Sequence, residues 1–411
     1  MNDRIVIIGG GIIGLLCGRE LLHRGYAVTI LEGGTLQGSA STGNAGVISP
    51  GHPPIPTPEV AAKAFRMLLD RRSPLYIPPR ASLPLLRWLL AFRRACRPAH
   101  FKMISQVLDQ FSMRSRELFD PLVQEAPHAL DASGFAEIVR TKAGQQHLAM
   151  ERDRLEQSGF EVELQDGDTF REQDPGWDPS VRAALIHRHG IVTRPDLLIQ
   201  HLSDQFTAEG GQLRTGCQVI RVHRQRNRFE SVELNGGERV EADGLLLAAG
   251  IWTTRLVKDL GIRIPMQAAK GYHVMIEMKS PPRRAALLQE ACVVVNPMGD
   301  QVRIAGTLEL SGINDRMVTR RVNMLQEAAR DYVPGIDEAP RRSEWNGLRP
   351  CTADGLPAIG LVPGMSNAFV ATGHAMMGVT LGPGTAELVA GCIEGQALPN
   401  WAEPMNASRF A

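Results

Sequence analysis

The sequence predicts a fold of mixed class, α/β plus α+β, in which a parallel-sheet domain is built from discontinuous segments and accompanied by an antiparallel-sheet domain. Three observations predict this arrangement. A strand, a glycine cluster, a helix and a second strand follow one another within residues 4–32. Another strand, within residues 241–250, ends in a glycine turn far along the chain. Strand patterns at 272–278, 291–295 and 302–307 are typical of antiparallel strands in a separate sheet.

The first elements form a strand–turn–helix unit. Four β-branched residues, Ile5 to Ile8, predict a buried strand, and the run Gly9-Gly10-Gly11-Ile12-Ile13-Gly14 that follows satisfies G-x-G-x-x-G. In such a unit Gly9 permits the tight turn, Gly11 lets a pyrophosphate approach the backbone, and Gly14 allows the helix to pack closely on the strand. The helix that runs on from Ile12 and Ile13 presents free N–H groups and the positive end of its dipole to the phosphates.

The second strand ends in an acid. Ala27 to Leu31 form this predicted strand, and Glu32 at its tip can accept hydrogen bonds from a ribose 2′,3′-diol and would repel a 2′-phosphate. Strand, glycines, helix, strand and acid in this register predict a Rossmann-like site for an adenine dinucleotide. The alternative, an ordinary strand–helix turn that uses glycine, leaves Glu32 unexplained.

The overall composition bounds the class of protein. The chain has 411 residues, of which 43% are hydrophobic and 22% charged, and its formal net charge is +1. This length predicts two domains, and the balanced charge gives no reason to expect a nucleic-acid partner. The six cysteines are scattered without a C-x-x-C pair, which argues against a disulfide framework or a metal site. We expect a cytoplasmic protein without a signal peptide or a membrane-spanning segment.

The rest of the chain supplies further elements. A glycine-, serine- and proline-rich loop at 33–58 precedes helices broken by prolines at 60–123. Helices are predicted at 142–158, 195–209, 318–333 and 385–394, and further strands at 135–141, 183–187, 218–224 and 231–234, with a glycine-rich block at 346–384. We expect residues 1–60, 190–265 and 340–411 to form the dinucleotide-binding domain and residues 61–189 and 266–339 to form the substrate domain.

One helical stretch is basic and amphipathic. Leu83 to Arg94 carries leucines and a tryptophan, with Arg87, Arg93 and Arg94 at helical spacing. Such a helix suits peripheral contact with the inner face of a membrane. The alternative, which we favour, is a helix that packs on its own domain.

Several glycine-rich segments besides the N-terminal one favour FAD over a nicotinamide cofactor. A permanently held flavin needs backbone along its whole length, whereas a diffusible cofactor needs fewer segments. The chain offers the loop from Thr42 to Gly46, the turn Ala248-Ala249-Gly250 and the block Gly373 to Thr380 before a helix whose dipole would stabilise negative charge on the reduced flavin. Besides the fingerprint residues and Glu32, we expect non-covalent FAD to be bound by Ser41, Thr42, Asn44, Ala45, Gly46, Val47, Ile48, Val219, Ala249, Gly250, Gly373, Met377, Gly378, Val379 and Thr380.

Longer motifs give the chain a family resemblance. They are the segments Ser41 to Gly51, Lys270-Gly271-Tyr272, Trp345 to Pro350 with Asp354 to Pro357, and Thr372-Gly373-His374. With the fingerprint and Glu32, they resemble the D-amino-acid oxidase/glycine oxidase superfamily of FAD-dependent oxidoreductases over nearly the whole length. Within it, the chain is most similar to the bacterial D-amino-acid dehydrogenases.

The resemblance implies substrate-binding residues. In glycine oxidases the arginine of the Gly-Leu-Arg-Pro motif holds the substrate carboxylate, and that role transfers to Arg349, whose planar guanidinium suits a bidentate contact. The alternative is a structural arginine paired with Asp354 or another acid. Tyr272 would donate its phenol to the same carboxylate, or would be an ordinary strand residue at a domain border.

Two further residues are candidates for the substrate pocket. His52 follows the loop 41–51 and either lines the pocket or is merely exposed. Met376 stands where glycine oxidases carry an arginine, which implies a more apolar pocket. Cys351 does not match the spacing of the cysteine that binds flavin covalently in sarcosine-oxidase relatives, which implies non-covalent FAD.

The reaction implied is oxidative deamination of a D-amino acid, with D-proline or hydroxy-D-proline among the candidates, by hydride transfer from the α-carbon to flavin N5. The electrons would pass to a quinone or another carrier. The alternatives are a glycine/sarcosine-type oxidase that uses oxygen, an NAD-dependent opine dehydrogenase, and a flavin-binding subunit of a larger electron-transfer oligomer.

Overall fold

The structure, a computed structural model, describes residues 3–60 and 73–411. Residues 61–72, which fall in the predicted helical region 60–123 and begin the predicted substrate domain, lie outside the described residues, as do residues 1–2. The helices are Ile12–His23, Leu83–Ala95, Pro98–Glu117, Asp120–Glu125, Lys142–Gln157, Gly167–Gln173, Pro195–Ala208, Thr253–Leu256, Thr319–Ala329 and Gly382–Ile393. Short 3-10 helices are Leu36–Gly38, Gly250–Trp252, Val257–Leu260, Glu403–Met405 and Ala407–Phe410.

The strands are numbered in chain order. They are β1 (Arg4–Ile8), β2 (Ala27–Leu31), β3 (Val47–Ile48), β4 (Leu75–Tyr76), β5 (Leu130–Asp131), β6 (Phe135–Val139), β7 (Val162–Asp166), β8 (Ala183–His187), β9 (Ile191–Thr193), β10 (Gln212–Arg214), β11 (Val219–Gln225), β12 (Arg228–Leu234), β13 (Arg239–Glu241), β14 (Gly244–Leu247), β15 (Met266–Glu277), β16 (Ala286–Leu288), β17 (Val293–Met298), β18 (Gln301–Glu309), β19 (Arg341–Thr352), β20 (Ala358–Leu361) and β21 (Ala368–Thr372).

The first sheet is the parallel one that the N-terminal sequence predicts. Its order is β10-β2-β1-β14-β21-β20, and all neighbours are parallel except the pair β20 and β21. The strands are apolar on both faces, because helices cover one face and a second apolar cluster covers the other. Helix Ile12–His23 packs against helices Pro195–Ala208 and Gly382–Ile393 on the first of these faces.

The second large sheet is mostly antiparallel. Its path is β19-β15-β18-β17-β16-β6-β8-β7, with β4 paired to β18. One face packs on helix Thr319–Ala329 around Tyr272, Val274 and Ile304. Smaller antiparallel sheets are β11-β12-β13 and β3-β9-β5, and the latter joins residues 47–48 to the segment after β8. The mixed fold class predicted from the sequence is therefore confirmed.

The main difference from the prediction lies in the glycine-rich block 346–384. This block contains most of β19 and all of β20 and β21, for which no strands were predicted from the sequence. Gly347 and Pro350 argue against a strand locally, but β19 pairs along its whole length with β15. This pairing places residues 341–352 in the antiparallel sheet, whereas the predicted boundary at 340 assigned them to the dinucleotide domain.

The terminal helix begins at Gly382, three residues before the predicted start at Thr385. In the described part of the chain, no helix is both long enough and apolar enough to cross a bilayer.

Candidate functional site

Four segments singled out from the sequence meet at one edge of the parallel sheet. Strands β2, β1, β14 and β21 are consecutive parallel neighbours, so their carboxyl ends lie side by side. Gly9 follows β1, Glu32 follows β2, Ala248 follows β14 and Gly373 follows β21. Doubly wound sheets bind their ligands in the crevice at this edge. The topology thus places the predicted cofactor segments where such a ligand binds.

The N-terminal turn has no room for side chains at two of its glycines. A Cβ atom on Gly9 would lie 2.5 Å from the carbonyl oxygen of Ala248, and one on Gly14 would lie 1.9 Å from the carbonyl oxygen of Gly9. Gly9 also has a φ of +111°, which side-chain-bearing residues rarely adopt. Both glycines are therefore required for the close approach of strand, turn and helix.

The N-terminal turn presents amide donors to the crevice. The amide of Ile12, just after Gly11, donates to Ser41 Oγ over 3.0 Å, whereas those of Ile13 and Gly14 donate to no residue of the described chain. Such free amides at a helix N-terminus suit a phosphate.

Glu32 stands beside the same turn. Its Oε2 accepts from the Gly10 amide over 2.7 Å and its Oε1 from the Gly34 amide over 2.9 Å. Each carboxylate oxygen keeps a lone pair that can accept from a ribose hydroxyl.

Side chains within the loop 41–48 mainly shape its own backbone. Thr42 Oγ1 donates to the carbonyl oxygen of Leu36 over 2.6 Å, and Asn44 Oδ1 accepts from the Gly46 amide over 2.7 Å. Val47 and Ile48 form β3 and pair with β9. The parts of this loop that remain for a ligand are therefore backbone groups.

Three side chains of the antiparallel sheet hold this loop from the other side, and none of the three was predicted from the sequence. We call them the carbonyl latch: His273 on β15, Asn296 on β17 and Arg303 on β18. Arg303 Nη1 donates to the carbonyl oxygens of residues 42 (3.3 Å) and 44 (2.9 Å), His273 Nδ1 to that of residue 43 (2.8 Å), and Asn296 Nδ2 to those of residues 45 (3.1 Å) and 46 (3.0 Å). No local sequence signal marks these residues, because their partners are distant in the chain.

The adenine end of the predicted site lies beside β11. Val219 begins this strand and is buried with Leu31 in one apolar cluster. The amide of Cys217 donates to the carbonyl oxygen of Glu32 over 2.8 Å. The structure thus brings Val219 close to the predicted ribose acceptor. Ala249 and Gly250 lie in the turn after β14. Thr372 Oγ1, at the end of β21, donates a 2.9 Å hydrogen bond to the carbonyl oxygen of Gly250.

The C-terminal loop connects the two large sheets. Met377, Gly378, Val379 and Thr380 lie between β21 and helix Gly382–Ile393. The Ala375 amide donates to the carbonyl oxygen of Pro350 over 3.0 Å, and the Ser49 amide donates to Thr380 Oγ1 over 3.2 Å. This loop therefore contacts both β19 and the end of the loop 41–51.

Arg349 lies between these two loops. Residues 345, 347 and 349 of β19 pair with residues 273, 271 and 269 of β15, so their side chains share one face of the sheet. On that face, a Cβ atom added to Gly43 would lie 2.1 Å from the Trp345 ring. Two residues past Arg349, the backbone of Cys351 forms a β-bridge with His374. The Arg349 side chain therefore points to the face that covers the glycine-rich edge.

The Arg349 guanidinium forms no ion pair within residues 3–60 and 73–411. Its Nη1 donates to the carbonyl oxygen of Thr307 over 3.1 Å, and burial lowers the pKa of the guanidinium. Asp354, the structural partner considered from the sequence, pairs instead with Arg409 over 2.8 Å. A partly buried cation without a described carboxylate partner is a suitable anchor for an anionic ligand.

Tyr272 lies on the opposite face of the same sheet. Its side chain is buried under helix Thr319–Ala329, and its hydroxyl donates to Glu309 Oε2 over 3.0 Å. Burial and the neighbouring Glu309 carboxylate both raise the pKa of this phenol. The structure therefore does not bring Tyr272 together with Arg349, and the alternation of β15 explains why.

His52 and Met376 are brought together in one cavity. The cavity is also lined by Ile55, Leu108, His374 and Met377. Burial lowers the pKa of His52, so its imidazole is neutral at neutral pH. The lining is mostly apolar.

These residues fit an extended flavin dinucleotide. Free amides at Ile13 and Gly14 suit the pyrophosphate, Glu32 suits the ribose, and the loop 42–46 offers further free amides near the face that carries Arg349. Segments from four separate parts of the chain are used, as a permanently bound flavin requires.

Comparisons with known proteins agree with this geometry. The family described as DAO, FAD dependent oxidoreductase, matches residues 4–391. D-amino acid dehydrogenase of Vibrio vulnificus (strain YJ016) is 29% identical over 418 residues, covering 97% of this chain and 98% of that protein. D-amino acid dehydrogenase of Methylobacterium nodulans is 28% identical over 422 residues, covering 99% of both. The crystal structure of glycine oxidase from Geobacillus kaustophilus shares the fold, with a TM-score of 0.78 and 23% identity over 100% of both chains.

The family match spans nearly all of the chain. It confirms the predicted resemblance and the predicted FAD cofactor, and it removes the support for an NAD-dependent enzyme. The protein belongs to the DAO family of FAD-dependent oxidoreductases.

Proposed function

We propose that this enzyme is a D-amino-acid dehydrogenase that oxidises the amine of a small D-amino acid and passes the electrons to a quinone or another carrier. The observation that carries the proposal is the Arg349 guanidinium, which faces the glycine-rich edge with no carboxylate partner in the described chain. A zwitterionic substrate supplies the missing carboxylate. The names of the relatives at 28% and 29% identity support the D-amino acid as substrate class.

In this proposal the chain positions the substrate and FAD supplies the redox chemistry by accepting the α-carbon hydride. Arg349 holds the carboxylate through two parallel hydrogen bonds, which fixes the direction of the α-carbon. The neutral His52 and the Met376 side chain complete an apolar wall for a small neutral side chain. D-Proline and hydroxy-D-proline are candidate substrates.

The FAD-binding role is proposed for residues 1–60, 190–265 and the part of 340–411 that follows β19. The specific contacts proposed are those of the glycine turn 9–14, Glu32, the loop 41–48, Val219, Ala249, Gly250 and the loop 373–380. Cys351 is buried and its pKa is raised to about 12 by burial, so the thiol is protonated and unreactive. This supports non-covalent FAD.

Peripheral membrane contact is a second part of the proposal, because helix Leu83–Ala95 exposes an apolar stripe. Leu83, Leu86 and Leu90 are 58%, 54% and 52% exposed, whereas Leu85 and Trp88 face the protein. The stripe lies among exposed arginines, and residues 73–108 contain no Asp or Glu. An apolar stripe with a basic border suits an anionic lipid surface, where a membrane quinone would be the acceptor.

A panel of D-amino acids with an artificial electron acceptor tests the proposed activity. The purified, FAD-loaded chain should reduce the dye with small neutral D-amino acids and form little peroxide in air. Abundant peroxide with glycine or sarcosine would favour the oxidase alternative. Dye reduction only after addition of a partner chain would favour a subunit of a larger oligomer.

A further inference from the structure

The carbonyl latch acts on five consecutive peptide groups of one loop. None of its members, His273, Asn296 and Arg303, takes a direct part in the proposed chemistry. Together they donate hydrogen bonds to every carbonyl oxygen from residue 42 to residue 46. All three side chains are buried. In register, Asn296 pairs with Arg303 on β18, while Ala305 on β18 pairs with His273, so the three donors share one face of the sheet.

The latch determines where the amide groups of the loop point. In a trans peptide unit the carbonyl and the N–H lie on opposite sides. Because the carbonyls of residues 42, 43 and 44 point to the sheet, the amides of Gly43, Asn44 and Ala45 point away from it. None of these three amides forms a hydrogen bond of normal geometry with the described chain. Three consecutive free N–H groups on one side of a loop form a binding site for electron-rich oxygen or nitrogen atoms.

The loop glycines are adapted to the latch itself. A Cβ atom on Gly46 would lie 2.3 Å from Asn296 Nδ2, and one on Gly43 would lie 2.1 Å from the Trp345 ring, which stacks on His273 at 5.2 Å. A side chain at either position would separate the loop from the sheet. These glycines are thus explained by contacts with the antiparallel sheet, and a direct contact with the cofactor is not needed to account for them.

Arg303 brings a buried positive charge to this face. It is 6% exposed, forms no ion pair with a described carboxylate, and burial lowers its pKa to about 10. Its guanidinium is still charged at neutral pH, and its oxygen acceptors are the carbonyl ends of peptide dipoles. Because these peptide dipoles are aligned, their positive ends lie together at the free amides.

We propose that His273, Asn296 and Arg303 are positioning residues that aim the amides of Gly43, Asn44 and Ala45 at acceptor atoms of the bound flavin. The proposal rests on the placement of FAD at this edge given under the proposed function. Through the latch, the antiparallel sheet contributes to FAD affinity without touching the cofactor. A preorganised loop binds more tightly because less conformational entropy is lost on binding.

The test measures FAD affinity and flavin spectra in the full-length chain without any substrate. Arg303→Met keeps a side chain of similar length but removes the charge and both hydrogen bonds to the loop. Asn296→Leu keeps a side chain of similar shape but removes the amide donor. Each should raise the Kd for FAD about tenfold or more and change the visible circular dichroism of bound flavin. Arg303→Lys, which keeps the charge and one donor, should restore part of the affinity.

Arg321→Met is the matched control. Arg321 is also buried and donates to two carbonyl oxygens, those of Ser73 (2.7 Å) and Pro74 (3.0 Å), but it extends from helix Thr319–Ala329 on the other side of the sheet. This variant should lower the Tm of the FAD-free chain and leave the Kd for FAD within about twofold.

Wild-type FAD affinity and flavin spectra in both latch variants would overturn the proposal. So would equal losses of affinity in Arg303→Met and Arg321→Met that simply follow the loss in Tm. If Arg303→Met does not fold, Asn296→Leu decides by the same criteria. Because no amino acid is present, failure of the proposed D-amino-acid activity would leave this result unaffected.

Discussion

Arg349 and Thr307 are joined across the antiparallel sheet, since Arg349 Nη1 donates to the carbonyl oxygen of Thr307. Thr307 has a φ of +65° and lies where the register between β15 and β18 shifts between Lys270 and Tyr272. A β-branched residue in the left-handed region costs about 1–2 kcal/mol of free energy. Its Oγ1 is also buried without a hydrogen-bond partner in the described chain. The proposed carboxylate anchor thus donates to a strained residue at a bulge, and such strain is common at functional sites.

Replacing Arg349 by Lys should impair turnover of D-amino acids markedly. Lysine keeps the charge but loses the planar fork that binds a carboxylate bidentately. We expect a loss of about 2–4 kcal/mol in transition-state stabilisation, or roughly thirty- to a thousandfold in kcat/KM, measured with an artificial acceptor. FAD content should stay near that of the parent enzyme.

A control on the same strand is Arg341→Lys, an exposed site that should leave kcat/KM nearly unchanged. Loss of FAD or unfolding in Arg349→Ala would show instead that the arginine is structural. Unchanged activity in Arg349→Lys would mean that the carboxylate binds elsewhere.

Replacing Glu32 by Arg should weaken FAD retention. The substitution removes the acceptor proposed for the ribose diol and also the two hydrogen bonds to the amides of Gly10 and Gly34. We expect the Kd for FAD to rise by about tenfold or more, measured by quenching of flavin fluorescence during titration. Glu20→Arg, on helix Ile12–His23, is a control that should not change the Kd. Normal FAD content in Glu32→Arg would contradict the assignment of the adenine end.

Acid should destabilise the chain through His374. This imidazole is 4% exposed, and burial lowers its pKa to about 3 from 6.5. Between these two values the unfolded state binds a proton that the folded state does not, so the stability present above pH 6.5 is lost as the pH falls. The slope for this group approaches 1.4 kcal/mol per pH unit at about pH 5.

His374→Gln should remove about one proton from the pH dependence of the free energy of unfolding, measured by urea denaturation at pH 5 and pH 6. Stability at pH 7.5 should fall modestly, because the 3.0 Å hydrogen bond to Thr385 Oγ1 is disturbed. An unchanged slope would show that His374 titrates normally in the folded chain.

The stripe on helix Leu83–Ala95 should recruit the enzyme to anionic vesicles. Replacing Arg87, Arg93 and Arg94 together by Gln removes three charges, each worth about 1 kcal/mol near anionic lipid, so binding should fall about a hundredfold at low salt. Flotation with anionic liposomes measures this. Leu86→Asp should also weaken binding, whereas Met150→Asp, at a residue 71% exposed on another helix, should not. No flotation of the parent enzyme at low salt would remove the membrane part of the proposal.

The parts of this protein that the sequence alone predicted depend on short-range geometry. The fingerprint at residues 9–14 and the acid at position 32 belong to one strand–helix–strand unit, in which spacing and glycine stereochemistry leave few arrangements. Further glycine-rich segments extended the prediction to FAD, and the family motifs extended it to Arg349. The parallel-sheet topology obeys the same rules. It brings the carboxyl ends of β1, β2, β14 and β21 to one edge.

Other features were decided only by tertiary structure. The face on which Tyr272 lies depends on the register of β15 with β19, and the pairing of Asp354 with Arg409 joins positions 55 residues apart. The carbonyl latch joins the loop 42–46 to side chains more than 200 residues later. The strand that carries Arg349 contains Gly347 and Pro350, whose local preferences argue against a strand. Local propensity cannot encode such contacts, because their free energy arises only when distant strands pair and bury their side chains together.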